Sequence, residues 1–571
     1  MKKLLYLLPV FLGLIFCGRF DKKQHTAPGK DSTSKEVAQT VRKKLPEAQS
    51  PFYWENANIY FLLTDRFKNG KYNNDLNFGR TQETAPMRGF HGGDLAGITQ
   101  KIEEGYFDKL GVGAIWFTPI LEQVHGIVDE GSGPTYGYHG YWTKDWTAID
   151  PNFGTYEDLK TMVDTAHDHG IRVIMDVVLN HTGPVTEKDP VWPEDWVRTG
   201  PQCTYDNYKN TTACTLVANL PDVYTESDTA VELPDAILAK WKEEGRLAKE
   251  LDELERFFER TGYSRAPRFY IIKWLTDYVH EFGIDGFRVD TAKHVDEQCW
   301  AELKQEASYA FETWKKKHPE KALDHTPFFM LGEVYGYNIN NGRLYDFGDQ
   351  KVDYFNYGFS SLLNFGLKYD TEKGYESVFK TYDKLLHGKL KGKSVVNYLT
   401  SHDDGEPFDL EREQPKKTAE MLLLAPGISQ IYYGDETARP LLIEGTIGDA
   451  TLRGPMNWGA IDSSATTQAI LEHWRKLGQF KRDHPAVGMG RHKRLSKKPY
   501  VFGRSLVRNN LKDKVAVGLN LPIGQKRIRV KGFFGNGTKL CDAYSGSSLV
   551  VENGYVALNS PYDTALLELE D

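Results

Sequence analysis

Short apolar runs alternate with amphipathic segments along most of the chain. The amphipathic segments at 156–169, 268–282 and 298–318 carry apolar residues at helical spacing. Eight strands, each followed by a helix, are the pattern of a (β/α)₈ barrel. We therefore expect an α/β fold built on a TIM barrel, whose eight strands are the apolar runs at residues 59–64, 114–119, 173–179, 286–290, 328–334, 352–355, 395–400 and 428–433.

Two departures from this alternation predict further domains. The interval 182–267 is far longer than a normal βα loop, which favours a domain inserted after strand 3. From residue 486 onward, strand-like runs alternate with Gly and Asn turns, which predicts a C-terminal antiparallel β-sandwich domain. The predicted division is a signal peptide at 1–17, a flexible tether at 18–50, the barrel at 51–181 and 268–485, the inserted domain B at 182–267 and the C-terminal domain at 486–571.

The N-terminus is typical of an exported protein. Two lysines precede an apolar run at 4–16, which is too short to span a bilayer securely. Cys17 follows in a segment that resembles a bacterial lipoprotein cleavage box, although Phe16 stands where a small residue is usual. Two interpretations stay open: a periplasmic or outer-membrane/cell-surface lipoprotein lipidated at Cys17, or an ordinary secreted or periplasmic protein. Residues 18–50, rich in Lys, Ser and Thr, are expected to form the tether.

Composition narrows the class of ligand. A chain of 571 residues is too long for one core, and its 13% aromatic content favours stacking on flat ligands such as sugar rings. The net charge of −8 argues against a nucleic-acid partner. Cys203 and Cys214 lie close together in a polar stretch and are candidates for a disulfide, while Cys299 and Cys541 stay unassigned. No cysteine spacing resembles a zinc site.

Candidate catalytic groups cluster where the predicted strands end. In the strand at 286–290, Arg288 and Asp290 point to the same face because side chains alternate. The arginine would keep that carboxylate ionised, as a nucleophile requires, although a purely structural Arg–Asp pair is the alternative. Glu333 ends the next strand, and two carboxyl groups about 5 to 5.5 Å apart are what retaining glycosidases use. Asp403 ends a third strand and would contact sugar hydroxyls.

Four segments, taken in chain order, resemble the α-amylase family of glycoside hydrolases. They are Asp-Val-Val-Leu-Asn-His at 176–181, Gly-Phe-Arg-Val-Asp-Thr-Ala-Lys-His at 286–294, Gly-Glu-Val at 332–334 and Ser-His-Asp at 401–403. Each falls at the end of a predicted barrel strand, and the resemblance covers about residues 52–571. Segments near residues 58, 65 and 90 look most like the periplasmic branch that acts on maltodextrins in bacteria.

The resemblance implies a role for each matching residue. Asp290 corresponds to the nucleophile, Glu333 to the general acid/base and Asp403 to the transition-state stabiliser. Arg288 would orient and ionise Asp290 and is counted with the substrate-binding groups. The other substrate contacts that the resemblance implies are His139, Tyr141, Trp142, His181, Lys293, His294 and His402.

This chain departs from the family pattern beside one of these residues. Ser401 stands where the family usually has Asn, and Asp404 adds a further acid. The residues matched to chemistry remain, so we expect the departure to change binding on the donor side of the cleft and not the reaction itself.

The resemblance also implies Ca²⁺, which prefers hard oxygen ligands. The site that joins barrel and inserted domain would use the side chains of Asn180 and Asp222 and the backbone carbonyl of His294. A second site resembles an N-terminal calcium loop of related glucanotransferases, although such a cluster is also typical of turns. Its ligands would be Asn69, Asn74, Asp75, Gly92 and Asp94.

The activity that the resemblance implies is retaining endo-hydrolysis of α-1,4-glucosidic bonds in starch, glycogen or maltodextrins through a covalent glycosyl-enzyme. The first alternative is an α-1,4-glucanotransferase or cyclomaltodextrin-acting enzyme of the same family, and the second is a non-catalytic glucan-binding surface lipoprotein. The expected partner is an α-glucan or maltooligosaccharide, without nucleic acid and with membrane contact only through an N-terminal lipid anchor. We expect a monomer.

Overall fold

A closed barrel of eight parallel strands lies at the centre of the computed structural model, which describes residues 51–570. The strands are β1 (Asn58–Leu62), β2 (Ala114–Phe117), β3 (Arg172–Val177), β4 (Gly286–Val289), β5 (Phe329–Gly332), β6 (Ser361–Asn364), β7 (Ser394–Asn397) and β8 (Ile428–Tyr432). Each strand pairs with its neighbours in the chain, and β1 also pairs with β8, so the barrel has no open edge. The predicted TIM barrel is therefore confirmed.

Helices connect the strands, and local sequence signals mark their ends. The main ones are α1 (Leu95–Glu103), α2 (Tyr156–Asp168), α3 (Asp235–Glu243), α4 (Leu247–Thr261), α5 (Pro267–Phe282), α6 (Glu297–Lys317), α7 (Leu367–Asp370), α8 (Tyr375–Leu386), α9 (Pro415–Leu423) and α10 (Ala465–Asp483). A capping box between Thr155 and Asp158 starts α2. Proline begins α5, and Gly283, with a φ of 76°, ends it. The three helices predicted between strands are thus confirmed, with ends shifted by one residue.

The prediction for the sixth strand was wrong. Val352 pairs with Tyr345 in a short antiparallel hairpin, and Tyr354–Tyr357 form a 3₁₀ turn, so residues 352–355 stay outside the barrel sheet. The true strand, β6, has only two apolar residues between polar ends. β7 has the same pattern, but Tyr398 and Leu399 directly after it lengthen its apolar run, so only β6 escaped a search for such runs. The last residue of β6, Asn364, is fully buried. Its side-chain amide is satisfied there because it donates a hydrogen bond at 2.8 Å to the amide oxygen of Asn397 on β7.

The segment 182–266 between β3 and α5 contains α3 and α4 but little other regular structure. Cys203 and Cys214 form a disulfide within it. Trp196 and Trp241 are fully buried in the same apolar cluster as the barrel strands. The segment therefore packs against the barrel, while its limits as a separate domain stay a prediction.

An antiparallel β region follows α10. Its strands are β9 (Arg491–Ser496), β10 (Tyr500–Arg508), β11 (Leu511–Leu519), β12 (Gly524–Arg529), β13 (Lys539–Asp542), β14 (Ser547–Val550), β15 (Tyr555–Ser560) and β16 (Ala565–Leu569). Six form one sheet in the order β9-β10-β11-β16-β13-β14, and β12 pairs with β15 as a second sheet. Val501, Ile528 and Leu567, from both sheets, share one apolar core. This confirms the antiparallel C-terminal region that the sequence predicts.

Within residues 51–570, no helix is both long and apolar enough to cross a bilayer. The predicted signal peptide, the tether and Cys17 lie outside the described residues. The division of the chain into domains stays a prediction.

Candidate active site

A buried arginine on β4 gathers the acidic groups at the mouth of the barrel. Arg288 Nη1 lies 2.8 Å from Asp176 Oδ1 and 2.8 Å from Asp290 Oδ1. Its Nη2 lies 3.0 Å from Glu333 Oε1. The strand register explains the grouping, because Asp176 on β3 stands directly opposite Arg288 on β4. Three carboxyl groups from neighbouring strands therefore surround one guanidinium.

Asp176 is a site residue that the sequence analysis did not assign. It is fully buried and accepts hydrogen bonds from Trp116 Nε1 and from the Tyr141 hydroxyl, each at 2.9 Å. Burial raises its pKa, although the positive charge of Arg288 opposes the shift. Matching the register of β3 with that of β4 is the sequence signal that could have found it.

Glu333 has the environment of a proton donor. Burial raises its pKa against the lowering effect of Arg288, and the negative charges of Asp290 and Asp403 raise it further. Its Oε2 accepts the backbone N–H of Thr291 at 2.9 Å. Thr291 has a φ of 49°, a left-handed conformation that is costly for a β-branched residue, so backbone strain is stored at this turn. The raised pKa favours the protonated form of this glutamic acid, which is the form that general acid catalysis requires.

All three predicted catalytic carboxyl groups open into one cleft of about 490 Å³, a volume typical of small-molecule sites. Arg288 is 1% exposed and lies behind the carboxyl groups that it contacts. The remaining predicted substrate contacts all line the cleft, and they are His139, Tyr141, Trp142, His181, Lys293, His294 and His402. The fold therefore brings the predicted catalytic and sugar-binding residues together, while their roles stay predictions.

An aromatic platform forms one wall of this cleft. The Tyr141 ring lies nearly parallel to the rings of His402, at 5.2 Å between centroids, and His139, at 5.8 Å. Trp142 meets His139 edge-on. Burial, with the positive charge of Arg453 nearby, lowers the pKa of both imidazoles well below its usual value, so both are neutral at pH 7. A flat face beside neutral imidazoles suits a sugar, which presents C–H groups to the ring and hydroxyls to the nitrogens.

Other cleft residues lie in segments between the main helices and strands, where no periodic pattern in the sequence marks them. Arg453 donates from Nε to the backbone carbonyl of His402 at 2.8 Å and pairs through Nη2 with Asp449 at 2.6 Å. Tyr205, inside the disulfide loop, meets the ring of His294 edge-on at 5.7 Å. The cleft residues without a role predicted from the sequence are Glu130, Tyr205, Leu216, Val217, Leu220, Thr291, Tyr335, Asp449 and Arg453.

The first predicted calcium site has donor groups that fit a hard cation. The Asn180 Oδ1 atom is buried without a hydrogen-bond partner, and Asp222 is 2% exposed. Burial raises the pKa of Asp222 to about 8, although Arg198 Nε lies 2.9 Å from its Oδ2. A backbone bridge between His181 and Asp222 holds this part of the segment next to the end of β3. An unpaired amide oxygen beside a buried carboxylate is a donor set that suits Ca²⁺.

Some of the groups predicted for the second site also lie close together, although the site itself stays a prediction. A Cβ built on Gly92 would lie 2.4 Å from Asn69 Nδ2 and 2.7 Å from Asp75 Oδ1, so these groups converge. The Oδ1 atoms of Asn69 and Asn74 are buried without a hydrogen-bond partner. Asp94 differs, because its carboxylate caps α1 and accepts backbone N–H groups with both oxygens. In residues 51–570, no group of three or more His, Cys, Asp or Glu side chains could hold a metal, so either predicted site would need amide or carbonyl oxygens besides its carboxylates.

The chain is similar to known proteins over most of its length. The family model described as "Alpha amylase, catalytic domain" matches residues 61–458. The periplasmic alpha-amylase of Escherichia coli (strain K12) is 38% identical over 529 residues, which cover 82% of this chain and 73% of that protein. The cyclomaltodextrin glucanotransferase of Geobacillus stearothermophilus is 25% identical over 81% of this chain, which spans 59% of that protein. The crystal structure of an alpha-amylase from Geobacillus thermoleovorans shares the fold, with a TM-score of 0.63 at 22% identity over 91% of this chain and 100% of that chain.

Proposed function

The chain belongs to the α-amylase family of glycoside hydrolases, and from this premise we propose that it cleaves internal α-1,4-glucosidic bonds of starch, glycogen or maltodextrins with retention of configuration. The observation that carries the proposal is that Asp290 and Glu333 bind the same Arg288 guanidinium at one cleft. Retaining glycosidases need one anionic and one protonated carboxyl group side by side.

In the proposed mechanism, Asp290 attacks the anomeric carbon. Its Oδ1 holds the bond to Arg288, which leaves Oδ2 for the attack. As the new C–O bond forms, the glycosidic C–O bond breaks and Glu333 gives its proton to the departing sugar oxygen. The glutamate then removes a proton from a water molecule, which attacks the same carbon and releases Asp290. Asp403 contacts hydroxyls of the distorted sugar in both steps.

The charges around Arg288 account for the different roles proposed for Asp290 and Glu333. Asp176, Asp290 and Glu333 share one buried guanidinium, so ionising all three would leave two uncompensated negative charges. Burial raises the pKa of both Asp176 and Glu333. Asp176 and Asp290 both take the Nη1 atom of Arg288, and Asp176 also accepts hydrogen bonds from Trp116 and Tyr141, which favour its anion. Glu333 instead lies beside the negative charges of both Asp290 and Asp403, which raise its pKa further. The proton is therefore placed on Glu333, where the leaving oxygen needs it.

Incubation of the purified protein with maltoheptaose tests the proposed function. We expect shorter maltooligosaccharides whose new reducing ends appear first as the α-anomer in proton NMR and then mutarotate, because two displacements at one carbon restore its configuration. New ends that appear first as the β-anomer would exclude the covalent mechanism. Binding without any turnover would favour the non-catalytic glucan-binding alternative.

The glucanotransferase alternative shares the first half of the mechanism. A sugar hydroxyl then replaces water at the glycosyl-enzyme, and the similarity to a cyclomaltodextrin glucanotransferase supports this second candidate. Products longer than maltoheptaose, or cyclic products, early in the same reaction would identify transfer. Their absence across substrate concentrations would leave hydrolysis.

Removal of calcium is expected to lower both stability and activity. In the proposed site, Asn180, Asp222 and the His294 carbonyl would bind Ca²⁺ and join the segment 182–266 to the catalytic strand. We expect chelator to lower the melting temperature by several degrees and kcat about tenfold or more, both restored by added Ca²⁺. Calorimetric titration of Ca²⁺ into the chelated protein gives a readout independent of activity.

Asp222→Asn separates this site from the second one. The variant keeps the shape of the side chain but removes its charge, so the calcium affinity of the first site should fall by about tenfold or more. Asp75→Asn is the matched variant for the second site. If chelator changes neither melting temperature nor activity of the wild-type protein, the calcium proposal is wrong.

The proposed location is outside the cytoplasm, supported by the signal-like N-terminus and by the similarity to a periplasmic alpha-amylase. Lipidation at Cys17 is the finer proposal. Detergent-phase partitioning of full-length protein, compared with a Cys17→Ser variant, separates a lipoprotein from an unanchored exported protein.

A further inference from the structure

The side chain of Asp403 has few contacts of its own. Its carboxylate contacts Ser401 Oγ, 3.4 Å from Oδ1, and His402 Nε2, 3.7 Å from Oδ2. Both distances are long for hydrogen bonds, so these contacts hold the carboxylate weakly. The direction of the carboxylate therefore depends on how the backbone of the loop after β7 is held.

The residues on either side of Asp403 are both held by side chains from other parts of the chain. On one side, the backbone carbonyl of His402 accepts a hydrogen bond from Arg453 Nε at 2.8 Å. On the other side, the carboxylate of Asp404 forms an ion pair with Lys368. Asp403 thus sits between two anchored neighbours, and only the first of these anchors lines the cleft.

The anchor at Asp404 is a buried three-residue group. Asp404 accepts the Lys368 ammonium on Oδ1 and the Tyr398 hydroxyl on Oδ2, the latter at 2.7 Å. Lys368 and Asp404 are each 6% exposed, and Tyr398 is 2% exposed. Lys368 lies on α7 after β6, while Tyr398 follows β7 directly. The group therefore connects the segments that follow two neighbouring barrel strands.

Given the proposed hydrolase function, we propose that Lys368, Asp404 and Tyr398 form a clamp that positions Asp403 in the cleft. The clamp accounts for the extra acid after the Ser-His-Asp segment: Asp404 is not a further catalytic group, because both of its oxygens are occupied away from the cleft. These three residues are positioning residues that act through their neighbour.

Burial makes this clamp effective. Water does not screen an ion pair between two groups that are almost inaccessible, and an uncompensated charge left there would force the loop to rearrange. A displacement of about 1 Å at a group that acts in the transition state costs about 100-fold in rate. Asp403 is proposed to act in the transition state, so loss of the clamp should appear in kcat and leave KM nearly unchanged.

Steady-state kinetics on maltoheptaose with Asp404→Asn, Lys368→Met and the double variant test the clamp. We expect kcat to fall about 10- to 100-fold in each single variant with KM within about threefold of wild type. The kcat of the double variant should be no lower than that of the less active single variant, because the two residues act as one unit. Tyr398→Phe removes one hydrogen bond without leaving a buried charge, and a loss of about threefold in kcat is expected even if a charge variant fails to fold.

Asp370→Asn is the matched control. Asp370 is also 6% exposed and is bound by a lysine, Lys373 at 2.6 Å, and by a tyrosine hydroxyl, Tyr382 at 2.9 Å. It lies on α7 but is not adjacent in sequence to a cleft carboxylate. We expect Asp370→Asn and Asp404→Asn both to lower the melting temperature, but Asp370→Asn to keep kcat within about twofold of wild type.

Three results would overturn the clamp: unchanged kcat in the folded Asp404→Asn or Tyr398→Phe variants, losses that multiply in the double variant, or an equal loss in Asp370→Asn. The wild-type reaction distinguishes the two proposals. If the wild-type protein turns over substrate and the clamp variants are unaffected, only the clamp proposal is wrong. If the wild-type protein shows no turnover, the hydrolase proposal and the clamp proposal are both wrong.

Discussion

Replacement of Asp290 by Asn is expected to lower kcat on maltoheptaose by about 10⁴-fold or more while the protein stays folded. The amide has the shape of the carboxylate, so the cleft and the platform around Tyr141 keep their form. An amide oxygen is a far weaker nucleophile, and without the carboxylate the glycosyl-enzyme does not form. KM should stay within a few fold of wild type, because the sugar contacts are unchanged. Initial rates of reducing-end release, with circular dichroism as a check of folding, measure the effect.

Asp285→Asn is the matched control for this prediction. Asp285 immediately precedes β4, at the opposite end from Asp290, accepts the backbone N–H of Val173 at 2.8 Å and pairs with His167 at 2.8 Å. Its loss should lower the melting temperature and leave kcat within about threefold of wild type. An Asp290→Asn variant that retained more than about 1% of wild-type kcat would show that the nucleophile lies elsewhere.

The barrel could be predicted because parallel strands are covered on both faces and therefore appear as continuous apolar runs. Seven of the eight predicted strands follow that rule. β6 does not, since it has only two apolar residues between buried polar ends, whereas Tyr398 and Leu399 directly after β7 extend the run of that strand. The buried amide of Asn364 donates a hydrogen bond to Asn397 on the neighbouring strand. A polar residue that is satisfied by a distant part of the chain has no signature in its local sequence.

The same distinction applies to the site. Asp290 and Glu333 could be predicted because they follow strands directly, so the fold class alone places them at one end of the barrel. Asp176, Lys368 and Arg453 act through partners far away in the sequence, and neither spacing nor periodicity reveals such pairs. Their roles follow only from the register of the strands and from the packing of the loops.

Replacement of Glu333 by Gln is expected to change the dependence of the reaction on pH and on the leaving group. Glutamine cannot give a proton to the departing oxygen, so kcat on maltooligosaccharides should fall by about 10³-fold. On an aryl maltooligosaccharide with an acidic phenol, which departs without protonation, the first step should lose only about tenfold or less. Stopped-flow measurement of phenol release compares the two substrates.

The pH profile gives a second, independent test. Burial raises the pKa of Glu333, so its protonated form is present below that raised pKa and is lost as pH rises through it. The wild-type protein should therefore lose kcat/KM on the alkaline side, and Glu333→Gln should not show that decline.

Glu420 on α9 supplies the matched control for this profile, because it is a buried glutamate outside the cleft, and burial raises its pKa to about 7. Glu420→Gln should keep the alkaline decline and the wild-type dependence on the leaving group, since this glutamate contacts Tyr375 and Thr564 and no cleft residue. If the decline persists in Glu333→Gln, or disappears in Glu420→Gln, the proton donor is not Glu333. A raised pKa alone does not identify a general acid, and the proposed role of Glu333 rests on the combination of that pKa with a place beside the proposed nucleophile.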